Sequence, residues 1–73
     1  SKLSYIETRE FATIEEDIAK AEQALNAKRA ALENPAAISN HVDYRATCAQ
    51  FEEAQKAVDK LYKRWAELEK KKG

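Results

Sequence analysis

The sequence predicts an all-α protein, an antiparallel two-helix coiled-coil hairpin with a short N-terminal helix ahead of it. Charged residues make up 36% of the 73 positions while glycine and proline occur once each, an excess of helix formers over turn formers that argues against a sheet. Two long stretches place apolar side chains at alternating spacings of three and four, the pattern of an amphipathic helix with a heptad seam. Between them stands the lone proline, Pro35.

The short first helix, about residues 4–12, opens on Ser4, with Glu7 three positions later completing a capping box. A second box, Thr13 with Glu16, brings the acidic pair Glu15 and Glu16 with Asp17 directly after Thr13 and Ile14. Carboxylates favour a positive helix N-terminus, so a break is expected near Ala12 to Ile14. A long helix over about 14–33 then carries the seam Phe11, Ile14, Ile18, Ala21, Leu25 and Leu32, with Lys28 in its one gap. Asn34-Pro35 ends it, because proline lacks the N–H donor and pushes its predecessor out of the α region. The turn takes 34–40, where Ser39 or Asn40 can cap a second long helix over about 41–71. The seam of that helix reads Tyr44, Thr47, Phe51, Ala54, Val58, Leu61, Trp65 and Leu68.

So short a connection sends the second helix back along the first. Pairing the seams outward from the turn sets Leu32 by Tyr44, Lys28 by Thr47, Leu25 by Phe51, Ala21 by Ala54, Ile18 by Val58, Ile14 by Leu61 and Phe11 by Trp65. Helices of these lengths make a rod of roughly 30 to 40 Å. Leu3, Tyr5 and Ile6 are expected to fold over Tyr62, Trp65 and Leu68 as a third wall at the open end.

A chain of this length makes one domain, 1–73, too small to enclose an active-site cavity. Neither a catalytic site nor a bound cofactor or metal is expected: His41 has no second ligand partner, and Cys48 lacks cations that would activate a thiolate. The acids Glu15, Glu16, Asp17 and Glu22 read as capping and solubility. A single cysteine makes no internal disulfide, and no apolar run approaches a membrane span or a signal peptide. A monomer in the cytoplasm, without a membrane partner, is the simplest expectation. Ser1 in place of methionine fits a piece of a longer protein.

Lys2-Leu3-Ser4-Tyr5, Glu7, Arg9, Glu10 and the apolar Phe11 resemble the K-L-S-Y-x-E-x-R-E-L motif that opens the C-terminal domain of Uup-like ABC-F ATPases. Leu61-Tyr62-Lys63-Arg64-Trp65-Ala66-Glu67-Leu68-Glu69 is similar to the closing L-Y-x-R-W-x-E-L-E of that family. Asn34-Pro35 stands where the family often has Asp-Pro, and Glu15 departs from a proline that many members carry. The resemblance implies a C-terminal domain of a cytoplasmic protein with two ATP-binding cassettes, whose relatives act on ribosomes or nucleic acid, with DNA binding associated with this domain in the Uup group. ATP and Mg would belong to the parent protein, since a chain whose only glycine is Gly73 can hold no phosphate loop.

Net charge is zero, but seven basic residues against three acids fall between Ala54 and Gly73. Lys56, Lys60, Lys63 and Lys71 recur at helical spacing away from the seam, with Arg64 beside them, a row able to track a phosphate backbone of DNA or structured RNA. The plainer reading is a solvated outer face, with lysines gathered where the helix dipole favours cations. Tyr62 and Trp65 suggest base stacking, yet Trp65 holds a seam position and reads as core, as does Tyr44. The competing function is a protein-interaction or spacer module docking on its own ATPase domains or on the ribosome, for which reversal of those charges would change little.

Overall fold

In the computed structural model two long helices lie side by side, α1 over Tyr5–Leu32 and α2 over His41–Lys72. The structure describes residues 2–36 and 41–73, the side chains of 41 and 42 excepted. Contacts between Glu7 and Lys71 at one end and Lys28 and Gln50 towards the other show that the helices run antiparallel. The result is a rod of 53 × 16 × 15 Å, longer than expected because α2, at 32 residues, alone spans about 48 Å at 1.5 Å per residue. Among the described residues no helix is long and apolar enough to cross a membrane.

Ser4 starts α1 as expected. Its hydroxyl accepts from the Glu7 N–H at 3.1 Å, and the Glu7 carboxylate accepts from the Ser4 N–H at 3.1 Å, satisfying two donors that the first turn leaves unpaired. The expected break near Thr13 is absent, and no separate short helix exists: α1 runs 28 residues without interruption. Thr13 turns its hydroxyl back to the carbonyls of Arg9 and Glu10 at 3.5 and 3.3 Å, the arrangement a threonine adopts inside a helix. With glutamate rather than proline at position 15, nothing removes a rung of the ladder, so continuity prevails over the second capping signal. At the other end Glu33 caps α1 and the Asn34 side chain accepts from the Ala36 N–H at 3.0 Å. The candidate caps Ser39 and Asn40 and the side chain of His41 lie outside the described residues.

Continuity also decides the third wall. Residues 5 and 14 on one unbroken helix are about 180° apart at 100° per residue, so with Ile14 in the seam Tyr5 faces away from it. Tyr5 and Ile6 are accordingly 75% and 76% exposed, and neither covers Trp65. Leu3, in the extended residues before the helix, does pack there, together with Phe11, Leu61 and Trp65 around buried Ile14, Ile18 and Leu68.

The seam positions are those expected, but the register is not. Val58 is buried yet stands apart from the cluster that holds Ile18, which instead shares a groove with Tyr62 and Trp65. Lys28 reaches Gln50 at 2.8 Å, Arg29 covers Phe51 at 5.6 Å from its ring centre, and Lys72 covers Phe11 at 4.9 Å. All these partners lie further along α2 than the pairing outward from the turn placed them. A heptad seam repeats every three or four residues, so sliding one helix by one seam position still sets apolar against apolar. The choice between registers falls to the flanking polar contacts, which the apolar pattern does not encode.

Candidate nucleic-acid interface

The five cations of the expected row do not share one environment. Arg64 is half-buried and holds Glu10 with its guanidinium fork, Nε to Oε2 at 2.7 Å and Nη2 to Oε1 at 2.8 Å. It also reaches Glu67 at 3.3 Å and Glu7 at 3.5 Å. Lys71 donates to Glu7 Oε2 at 2.5 Å. Glu7 thus closes the cap of α1 with one oxygen and binds the last turn of α2 with the other.

The titration of these acids reflects that environment. The Lys71 ammonium, followed by the Ser4 N–H, brings the Glu7 carboxyl down to about 2. Hydrogen bonding from Arg64 lowers Glu10, and the same bonds raise Arg64 further above its ordinary range. Bidentate pairs of this kind are the geometrically specific ones. Arg64 and Lys71 are therefore committed within the hairpin, and their positive charge is matched locally by Glu7, Glu10 and Glu67.

Lys60 and Lys63 differ. Both border a surface groove of about 460 Å³ with Glu10, Leu61, Arg64 and Glu67, both are exposed, and neither makes an ion pair among the described residues. Lys56 stands in between, 3.7 Å from Glu53 with both side chains about three-quarters exposed, a pairing that contributes little. The free cations of the row are thus Lys60 and Lys63, with Lys56 loosely held.

Of the aromatic candidates, Trp65 packs on the core and Tyr44 is half-buried, in keeping with their seam positions. Tyr62 is 46% exposed, and its hydroxyl donates to Glu22 at 2.8 Å, a bond that raises the phenol above its ordinary value. Glu22 is therefore a cross-helix partner rather than a solvated acid. Cys48 is half-buried and unpaired. Among the described residues no three His, Cys, Asp or Glu side chains converge as metal ligands would.

The residues missed from the sequence are Glu7 and Glu10 as partners of α2. Their signal was present, since Arg64 adjoins the seam and both acids stand near the opposite end of the chain, where an antiparallel hairpin must bring them together. The motif Leu3, Ser4, Glu7, Glu10, Phe11 and the motif Leu61, Arg64, Trp65, Glu67, Leu68 meet in space as the two halves of one joint.

The fold is thus a helical hairpin clasped at its open end by Glu7, Glu10, Arg64 and Lys71, with Lys60 and Lys63 exposed on its outer face. The chain belongs to the ABC transporter C-terminal domain family, which it matches over residues 2–70. No significant match was found among curated proteins or solved structures.

Proposed function

We propose that this domain is the nucleic-acid-binding arm of a cytoplasmic ABC-F ATPase of the Uup-like group, contacting DNA or structured RNA through Lys60 and Lys63 with Lys56 at the edge. ATP and Mg belong to the cassettes of the parent protein, and the domain works as a monomer because each seam is covered by the other helix of the same chain. The observation that carries this reading is the partition of the basic row, which leaves Lys60 and Lys63 exposed beside one groove and without an ion pair among the described residues. Ammonium groups so placed contact phosphate and carry no base readout.

The test is fluorescence anisotropy with labelled duplex, branched DNA and structured RNA at low and physiological salt. Engagement of two or three phosphates gives a log–log salt slope of about −2 to −3 for duplex DNA. Lys60→Glu with Lys63→Glu should abolish binding while helicity persists. No binding at high micromolar concentration would sink the proposal.

A second reading, a protein-docking or spacer module on the ATPase domains or the ribosome, is favoured by Tyr5 and Ile6, adjacent apolar side chains left three-quarters exposed. It predicts that the same charge reversals change nothing.

A further inference from the structure

The hairpin has two chemically different flanks. Tyr62 and Arg64 are two positions apart on α2, so about 200° apart around it. They bond to α1 on opposite sides of the seam, Tyr62 to Glu22 and Arg64 to Glu10. The Arg64 flank carries Lys60 and Lys63. The Tyr62 flank carries a groove of about 240 Å³ lined by Glu15, Ile18, Tyr62 and Trp65.

Every wall of that groove suits a cation with a flat or apolar body. Two aromatic rings and Ile18 form its sides, and the bond to Glu22 fixes the Tyr62 ring in place. Glu15 is exposed and makes no ion pair among the described residues, whereas its neighbour Glu16 is matched with Lys20 at 3.4 Å. Among the described residues no lysine or arginine lines the groove. Trp65 contributes its ring only, since Nε1 is shut off from solvent and has no acceptor there.

Size and charge then select the occupant. Pockets that take small molecules begin at roughly 300 Å³ and enclose most of the ligand. This groove is smaller and open, so it fits one side chain of something docked from outside. Phosphate is disfavoured by Glu15 and Glu22. Aromatic faces attract cations, and guanidinium, flat and weakly hydrated, stacks on a ring while forking to a carboxylate.

We propose that the Glu15–Ile18–Tyr62–Trp65 groove binds an arginine side chain presented by a protein partner. This site stands apart from the lysines of Lys60 and Lys63, so the domain can hold nucleic acid on one flank and protein on the other.

The test is an NMR titration of the 73-residue chain with a short blocked peptide carrying one arginine, alongside peptides with lysine or neutral citrulline in its place. Shifts should centre on Glu15, Ile18, Tyr62 and the sole tryptophan, Trp65, with arginine strongest and citrulline inert. Glu15→Gln, at an exposed position that leaves the fold intact, should weaken binding at least about threefold. Lys60→Glu with Lys63→Glu should leave it unchanged, which separates this proposal from nucleic-acid binding. The proposal is overturned by absence of shifts at millimolar peptide, by shifts spread over other acids such as Glu52 and Glu53, by equal binding of citrulline, or by indifference to Glu15→Gln.

Discussion

Arg64 near the end of α2 holds Glu10 near the start of α1 through both carboxylate oxygens, at 2.7 and 2.8 Å, across 54 positions of sequence. Around this fork gather Glu7, Glu67 and Lys71, so the open end of the hairpin is closed by one ionic network lying over the Leu3, Phe11, Trp65 and Leu68 cluster. Ionic and apolar contacts at that end depend on the same register.

Arg64→Ala should lower the thermal midpoint more than Lys56→Ala, whose pair with Glu53 is exposed and long at 3.7 Å. Arg64→Lys should recover only part of the loss, because an ammonium keeps the charge but not the fork. A double-mutant cycle with Glu10→Ala checks the coupling, and additive losses would show that the network contributes nothing as a unit.

Leu68 is fully buried at 0% exposure, so Leu68→Ala should cost about 2 to 5 kcal/mol. Against the few kcal/mol available to a chain of this size, that loss should remove most of the helical circular dichroism at 25 °C. Leu61→Ala, at a half-buried position, should be milder.

Stability should fall on acidification within a defined window. Glu7 titrates at about 2 in the folded chain against an ordinary 4.5, and Glu10 is lowered as well. The unfolded chain therefore binds more protons between those values. Stabilisation is complete above the unfolded value and is lost as pH drops from about 4.5 to about 2. Denaturant melts across that range should flatten in Glu7→Gln, and an equal slope in the variant would contradict the assignment.

The two threonine and serine signals should behave oppositely. Ser4→Ala removes a working cap and should cost about 0.5 to 2 kcal/mol, with faster amide exchange in the first turn of α1. Thr13→Ala should be neutral or slightly stabilising, because Thr13 bonds back into the helix. A loss at Thr13 as large as that at Ser4 would reinstate a break there.

Much of the hairpin was legible in the residues. Ser4 and Glu7 announced the start of α1, Asn34-Pro35 its end, and among the described residues every buried side chain, from Ile14 to Leu68, falls on the seam that the three-and-four spacing marks. The partition of the five cations was not legible, because sequence spacing places Arg64 beside Lys60 and Lys63 without showing which of them faces a carboxylate. Thr13 misled because a capping box is a local signal, and a local signal does not say whether the helix before it continues.

The sequence by itself determined that two amphipathic helices form and fold back on one another, since periodicity, capping and proline act within a few residues of chain. Only the tertiary structure decided the register, the clasp of Glu7 and Glu10 on Arg64 and Lys71, and which lysines remain free. Those depend on one helix sliding against the other, and a repeating seam leaves several positions nearly equal until long polar side chains meet across it.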